Sequence, residues 1–167
     1  MTTTPSAPAR KKATFNTLTV SDVRALTEDS VEVSFAIPPE LQDDYDYIPG
    51  QYVALRATIN GQEVRRSYSI CNVPRNGVLK VAIKRDRGGV FSTWANDSLQ
   101  PGDTMDVMNP QGAFTSKTHL TGLNNPEAVR EELEKLENPH LVAIAAGSGI
   151  TPIMAIAQTV LHSSPDT

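Results

Sequence analysis

The sequence has little sulfur and few imidazoles, and this limits the sites that it can build. Its 167 residues include one cysteine, Cys71, so neither an internal disulfide nor a four-thiolate metal or iron–sulfur site can form within the chain. The three histidines, His119, His140 and His162, are far apart and have no partner at metal-ligand spacing. The sequence therefore predicts no metal site.

Long apolar runs and a dominant charge are also missing. No stretch approaches the roughly 18 apolar residues that a membrane helix requires, and the start of the chain lacks the apolar segment of a signal peptide. The formal charge of −4, without a basic stripe, argues against a nucleic-acid-binding protein. The hydrophobic fraction of 39% and the charged fraction of 20% are those of a globular protein. We expect a cytoplasmic location, no membrane contact and no nucleic-acid partner.

The hydrophobic pattern between residues 15 and 108 is that of short antiparallel strands. Apolar and polar residues alternate in segments separated by turn residues, among them Asn60-Gly61, a strong hairpin signal. These segments are 15–20, 31–37, 51–59, 62–70, 78–84 and 104–108. They predict a mainly β fold, a six-stranded antiparallel Greek-key barrel. The segment from Phe91 to Leu99 is predicted to be a short helix, begun by Ser92, that plugs one end of the barrel.

Beyond the barrel the pattern changes twice. A charged helix is predicted from Pro126 to Glu137, as part of an insertion or linker. The apolar run 141–146, a Gly147-Ser148-Gly149 turn and a helix from Thr151 are typical of the first βα unit of a parallel nucleotide-binding sheet. One such unit leaves an apolar strand edge and a helix face exposed, which favours dimerisation. The predicted parts are a flexible tail (1–14), the barrel (15–115), the insertion (116–139) and a truncated nucleotide-binding domain (140–167).

The segment from Arg66 to Ser69 places a cation, a flat aromatic ring and small hydroxyls at the end of a predicted strand. On a strand, Arg66 and Tyr68 share one face while Ser67 and Ser69 share the other. A guanidinium can bind a pyrophosphate through two N–H groups, a phenol can stack on an aromatic cofactor, and a hydroxyl can hydrogen-bond a ring nitrogen. A half-buried strand with Arg66 in solvent and Tyr68 in the core would have the same sequence.

A second motif lies at residues 84–92, where a basic strand end runs into Gly88-Gly89 and then into a predicted helix. Glycines let backbone N–H groups approach an anion, and the N-terminus of a helix adds a favourable dipole. The basic side chains would attract the anion. A solvated turn ahead of a helix fits the same residues.

The two motifs, in this order, resemble those of the ferredoxin–NADP reductase family. Four further segments match that family: 49–52 before the hairpin, 101–103 after the plug helix, 110–114 at the closure of the barrel, and 147–152 as the first pyridine-nucleotide loop. The likeness covers about residues 15–115 and 140–162, whereas the charged helix between them departs from the usual short connection. Residues 65–71 and 107–112 resemble the reductase components of phenylacetyl-CoA epoxidase systems, and those of ketosteroid hydroxylases are similar.

The resemblance implies a flavoprotein that passes electrons from NAD(P)H through FAD to a 2Fe–2S centre and on to an oxygenase partner. In the family's motif, the residue at Arg66 binds the FAD pyrophosphate, that at Tyr68 stacks on the isoalloxazine ring, and that at Ser69 hydrogen-bonds near its N5. The other implied cofactor-binding residues are Ser67 beside them, Ile83 and Lys84 on the adenosine side, Gly88, Gly89, Val90, Phe91 and Ser92 around the pyrophosphate, and Gly147 and Thr151 towards the nicotinamide. No catalytic side chain is implied, because the flavin performs the chemistry.

Three further expectations follow. The 2Fe–2S centre would lie outside this chain, and the chain by itself would not complete NAD(P)H turnover. Cys71 is expected to be a packed thiol, since no histidine lies near it in sequence to activate it. A non-enzymatic β-barrel binding module remains the alternative, and loss of FAD on replacement of Arg66 would distinguish the two.

Overall fold

Six antiparallel β-strands form the framework of the structure. The computed structural model describes residues 11–74, 77–114, 130–131, 134 and 142–163. The strands are β1 (Phe15–Thr27), β2 (Ser30–Ala36), β3 (Tyr52–Ile59), β4 (Gln62–Ser69), β5 (Val78–Lys84) and β6 (Thr104–Met108). They form one sheet in the order β4-β3-β6-β1-β2-β5, in which every neighbouring pair is antiparallel. The prediction of a mainly β, six-stranded antiparallel fold is confirmed.

The sheet curls until its two outer strands meet at one end. Ile70, directly after β4, pairs with Val81 of β5. Next to this pair, the N–H of Cys71 donates to the carbonyl of Lys80 at 3.0 Å. Along residues 62–69, β4 pairs only with β3 among the described strands. The barrel is therefore a curled half-barrel, joined at one end and open along the rest of β4.

The turns and bulges explain where the strands end. Asn60 and Gly61 both have positive φ, 51° and 77°, as the two-residue hairpin turn between β3 and β4 requires. Strand β1 is longer than predicted and pairs with β2 as far as Thr27. Its register shifts twice, between Val20 and Asp22 and again before Thr27. A bulge offsets the alternation of side chains, so the period-two signal fades although the pairing continues.

The core fills the concave side of the sheet. Alternate residues of β5 face inward, as predicted, and two tyrosines from the loop before β3 complete the packing. The phenol of Tyr45 donates to the carbonyl of Val107 at 2.5 Å, and that of Tyr47 donates to the carbonyl of Asn72 at 3.2 Å. Side chains that are at most 1% exposed include Leu18, Val20, Val33, Phe35, Val53, Leu55, Leu79, Val81 and Ile83.

The predicted plug helix is present as α1 (Val90–Asp97). Phe91 is 1% exposed, and Leu99 just beyond the helix is also buried, so α1 covers one end of the core. The prediction that Ser92 begins the helix is wrong, because Gly89 is the N-cap. Ser92 lies in the first turn, where its hydroxyl donates to the Gly89 carbonyl at 3.2 Å and accepts from the Asp86 N–H at 3.0 Å. Serine is common at helix N-caps, but the Ser92 side chain instead closes the turn that precedes the helix.

The helix predicted after the glycine turn is α2 (Ile150–Ser163), preceded by a single 3-10 turn at Gly147–Gly149. The apolar pattern of this segment predicts a helix with Ile153, Ile156, Ala157 and Val160 as its apolar residues. Val160 is buried, the other three are half-buried, and Pro152, Ala155 and Thr159 are buried as well. Small side chains form the inner side of the helix, and the branched isoleucines flank it.

The prediction of a β-strand at 141–146 is wrong for the described residues 142–146. These residues have no strand partner within the described chain, and Val142 and Ile144 are 85% and 88% exposed. Leu141 lies outside the described residues. An apolar run becomes a strand only where another strand accepts its hydrogen bonds, and the described strands all belong to the antiparallel sheet.

Much of the predicted insertion and tail lies outside the described residues, including residues 1–10 and most of the helix at 126–137. Arg130, Glu131 and Glu134 are described and helical. The Nε of Arg130 lies 3.1 Å from Oε1 of Glu134, one turn away. In the described parts of the chain, no helix is long and apolar enough to cross a membrane.

Replacing Tyr45 with phenylalanine should lower the free energy of unfolding by about 1 kcal/mol, because the Val107 carbonyl loses a buried hydrogen bond. Urea denaturation would measure the change. Tyr52→Phe is the matched control, since the Tyr52 side chain is partly exposed and its hydroxyl has no hydrogen-bond partner among the described residues. Equal stability of the two variants would contradict the role assigned to the Tyr45 phenol.

Candidate functional site

The strand register places the side chains of Arg66 and Tyr68 on the concave side of the sheet. Arg66 lies opposite Leu55 and Tyr68 lies opposite Val53, both of which are fully buried in the core. Directly opposite residues of an antiparallel pair share a face. Because β4 is an outer strand, these two side chains stand at the open edge of the half-barrel. Ser67 and Ser69 occupy the other face.

The second predicted motif forms the connection from β5 to α1. The N–H of Gly89 donates to the carbonyl of Asp86 at 3.0 Å, which closes a tight turn. A Cβ atom on Gly89 would lie 2.6 Å from the Ser92 hydroxyl oxygen and 3.2 Å from the Asp86 carbonyl oxygen. The turn therefore has no room for a side chain at Gly89. The first N–H groups of the helix follow directly, and an α-helix provides no internal acceptor for them.

Aromatic contacts bring the two motifs together. The ring centroids of Tyr68 and Phe91 are 5.9 Å apart, with the planes tilted by 34°. Phe91 in turn meets Trp94 edge-on at 5.6 Å. Both separations lie in the range of favourable ring pairs. Tyr68 on β4 thus packs directly against the first turn of α1.

The electrostatics of Tyr68 reflect both motifs. Burial raises the pKa of its phenol above the usual value; the Arg66 charge opposes this rise, and the Asp86 charge adds to it. The phenol is therefore neutral at physiological pH. Arg66 forms no ion pair with any described carboxylate, and its Nη1 donates only to the neighbouring Arg65 carbonyl at 2.7 Å. The guanidinium is exposed and remains available to an anion.

The cations at the end of β5 are largely occupied by other groups. The Nζ of Lys84 lies 3.4 Å from Oδ2 of Asp29. Arg85 holds Asp97 with both of its terminal nitrogens, at 2.9 and 2.5 Å. Arg87 is exposed and forms no ion pair with a described residue. The positive charge left to attract an anion is consequently that of Arg66 and Arg87.

Other predicted site residues are placed less directly. The Ile83 side chain is fully buried in the core, so only its main chain could face a ligand. Val90 is 49% exposed at the start of α1, beside the turn that contains Gly88. Gly147 and Thr151 lie on the separate turn before α2, where the Thr151 hydroxyl donates to the Ser148 carbonyl at 3.0 Å. The described contacts do not join them to Arg66, Tyr68 or α1.

Two carboxylates that matter to the site were not identified from the sequence. Asp29 and Asp97 neutralise Lys84 and Arg85, yet they belong to the β1–β2 turn and to the last turn of α1. No local pattern marks them, because their partners become neighbours only in the folded sheet. Asn96 was missed as well, and its Nδ2 donates to the Ile83 carbonyl at 3.2 Å.

The described residues contain no group of three or more His, Cys, Asp or Glu side chains that could hold a metal ion. His119 and His140 lie outside the described residues. The site that remains combines an available guanidinium, an aromatic face and the N-terminus of a helix. These groups suit a flat aromatic ligand that carries phosphate.

Comparisons with known proteins agree with this chemistry. The model of the oxidoreductase FAD-binding domain family matches residues 17–116. A 1,2-phenylacetyl-CoA epoxidase component from Escherichia coli is 41% identical over 154 residues, which is 92% of this chain and 39% of that protein. The ferredoxin reductase component of 3-ketosteroid-9-alpha-monooxygenase from Rhodococcus rhodochrous is 35% identical over 146 residues, 86% of this chain and 36% of that protein. The chain thus spans less than two fifths of either relative.

A solved structure supports the fold. The flavohem-like FAD/NAD-binding domain of nitric oxide dioxygenase from Vibrio cholerae superposes with a TM-score of 0.69 at 21% identity. The match covers 90% of this chain and 58% of that one. At this level of identity the likeness concerns the architecture.

Cys71 should react slowly with thiol reagents in the folded protein. Burial, and next the nearby Glu32 charge, raise its pKa to about 11. At pH 8 only about one thiol in a thousand is then a thiolate, the reactive form. We expect the labelling rate to rise about tenfold for each pH unit from 8 to 10. Because the pKa of this thiol is higher in the folded than in the unfolded protein, the neutral thiol stabilises the fold. This stabilisation is complete below the pKa of the thiol in the unfolded chain and is lost as the pH rises towards 11.

Stopped-flow labelling would measure this, and all of the signal belongs to Cys71 because the chain has no other cysteine. The urea-unfolded protein is the control and should label rapidly at pH 8. Rapid labelling of the native protein at pH 8 would contradict the burial of this thiol.

Proposed function

The chain belongs to the oxidoreductase FAD-binding domain family, and we propose that it is the flavin-binding part of an NAD(P)H-dependent reductase that supplies an oxygenase. Electrons would pass from NAD(P)H through FAD to a 2Fe–2S centre and then to an oxygenase of the phenylacetyl-CoA epoxidase kind. The observation that carries this proposal is the packing of Tyr68 against Phe91, which places an available guanidinium, an aromatic ring and a helix N-terminus side by side. A reductase component of a ketosteroid monooxygenase is the nearest alternative.

The residues present fit the pyrophosphate of FAD. Arg66 has no carboxylate partner among the described residues and can bind phosphate oxygens with two N–H groups. The first turn of α1 adds backbone N–H groups and the positive end of the helix dipole. Gly89 keeps this turn free of a side chain, so that a phosphate can approach the backbone closely. Val90, Phe91 and Ser92 would supply the N–H groups.

The residues beside the pyrophosphate site fit the ring system. Tyr68 presents a neutral phenol at the open edge of the half-barrel, on the same face as Arg66. Ser69 is the last residue of β4 and lies on the face opposite to Tyr68, so a contact between its hydroxyl and the ring would have to be made at the end of the strand. On the adenosine side, Ile83 would contribute through its main chain. Lys84 would contribute through its aliphatic stem, since its ammonium contacts Asp29.

Bound FAD would supply the redox chemistry, namely hydride uptake from NAD(P)H and single-electron release. The residues of this chain would bind the flavin, orient it and shield it from water. Arg66 would hold the phosphates and Tyr68 would stack on the ring, while Phe91 packs against Tyr68. No side chain has to transfer a proton. Gly147 and Thr151 would belong to the nicotinamide side of the reaction.

The electron acceptor would be outside this chain. A 2Fe–2S centre needs four ligands, usually thiolates, and Cys71 is the one cysteine available. The relatives named above are a component of an epoxidase and a reductase component of a monooxygenase, which supports an oxygenase as the final partner.

Replacing Arg66 with alanine should raise the dissociation constant for FAD by about 10- to 100-fold, because a charge-assisted hydrogen bond to phosphate contributes about 1.5–3 kcal/mol. Flavin fluorescence titration of the purified chain would measure it. Arg65→Ala is the matched control. Arg65 lies on the other face of β4, where its guanidinium sits 5.0 Å from the Phe15 ring centroid, so the dissociation constant should change less than threefold.

Two results would count against the proposal. A chain that retains no visible flavin absorbance after mixing with FAD and desalting would not be a flavin-binding domain. Equal effects of the two arginine replacements would remove Arg66 from the site and favour a diffuse electrostatic attraction.

A further inference from the structure

The last turn of α1 is fastened to the end of β5 by two side-chain contacts. Arg85 grips the Asp97 carboxylate with both terminal nitrogens, and the Asn96 amide donates to the carbonyl of Ile83. Arg85 also lowers the pKa of Asp97 through this hydrogen bond, so both partners are charged at neutral pH. The backbone N–H of Arg85 donates to the Asp29 carbonyl at 2.6 Å. The end of β5, the turn between β1 and β2, and α1 are thereby tied together.

The candidate phosphate-binding turn, residues 86–89, lies inside this set of contacts. Arg85 precedes the turn, and Asp97 closes the helix that follows it. From the first turn of α1, Ser92 binds the backbone of Asp86 and of Gly89. The turn is therefore held at its start by Arg85 and on its far side by the helix that Arg85 grips.

The other contacts of helix α1 are apolar packing, the Asn96 hydrogen bond to Ile83 and the Ser92 hydrogen bonds to the turn. It has eight residues, far fewer than the roughly 12–15 that make an isolated helix even marginally stable. Its N-cap, Gly89, has no side chain, and its first turn carries no acidic residue. Phe91 and Ala95 anchor one face in the core. Apolar packing is not directional, whereas a two-nitrogen contact with a carboxylate is.

We propose that the Arg85–Asp97 pair is a positioning clamp for flavin binding: it sets the position of the N-terminus of α1 and of the 86–89 turn, and thereby the affinity for the FAD pyrophosphate. This inference rests on the proposed function. In this proposal Arg85 is a positioning residue, since one N–H of each terminal nitrogen binds the Asp97 carboxylate. A basic residue that the sequence pattern assigns to attracting phosphate acts instead through the helix.

The test compares the FAD dissociation constants of Arg85→Ala, Asp97→Ala and the exchanged pair Arg85→Asp with Asp97→Arg. We expect each alanine variant to bind FAD about fivefold more weakly, corresponding to an exposed ion pair at the strong end of its range. The exchanged pair should recover most of the wild-type affinity. Arg85→Lys should be intermediate, since lysine keeps the charge but cannot make the two-nitrogen contact.

Arg24→Ala is the matched control for a general loss of stability. It removes an ion pair away from α1, between Arg24 and Glu32 at 3.2 Å on β1 and β2, where Glu32 keeps Lys80 as a partner at 3.0 Å. Its melting temperature can be compared directly with that of the clamp variants, and its FAD affinity should equal that of the wild type. Single clamp variants that bind FAD within twofold of the wild type would overturn the proposal, as would an exchanged pair as weak as the single variants.

The same experiment separates the clamp from the function on which it rests. A wild-type chain that does not bind FAD would overturn both. A wild-type chain that binds FAD, with Arg66→Ala impaired and the clamp variants unimpaired, would overturn the clamp alone. If Arg24→Ala weakened FAD binding as much as Arg85→Ala, the effect would be one of global stability, and the clamp would again be overturned.

Discussion

The pairing of Ile70 with Val81 joins the two outermost strands of the sheet, and the position of the site depends on it. In a flat six-stranded sheet, five spacings of about 4.8 Å would put β4 and β5 about 24 Å apart. The Arg66 segment ends one of these strands, and the turn at Gly88-Gly89 follows the other. Curling the sheet until its ends meet changes these segments from opposite edges into neighbours. The site is thus a product of the curvature of the whole sheet.

One side chain of helix α1, Phe91, packs in the core and also contacts the candidate site. Phe91 is almost fully buried among the strands, and its ring also supports Tyr68 at the open edge. A helix of this length is held by its packing, and so its N-terminus can be no better placed than that packing allows. The hydrophobic core and the Arg85–Asp97 contact together therefore determine how well the backbone N–H groups are aimed at a phosphate.

The parts of the fold that follow from local pattern could be predicted from the sequence. Alternation identified all six strands, and Asn60-Gly61 identified the tightest hairpin. The ion pairs of Lys84 and Arg85 could not be predicted, because their partners Asp29 and Asp97 come close to them only in the folded protein. The run at 142–146 illustrates the same limit. Its apolar residues favour a strand, but strand formation depends on a partner that local sequence does not specify.

The open side of β4 leaves a row of main-chain donors and acceptors with no neighbouring strand along residues 62–69 among the described parts of the chain. Such an edge can pair with the edge of another molecule, and proteins commonly protect it with charged side chains. Glu63, Arg65 and Arg66 stand along this strand, all of them exposed. Arg66, the residue that suits an anion, is thus also one of the charges that make this edge unfavourable for pairing with another strand.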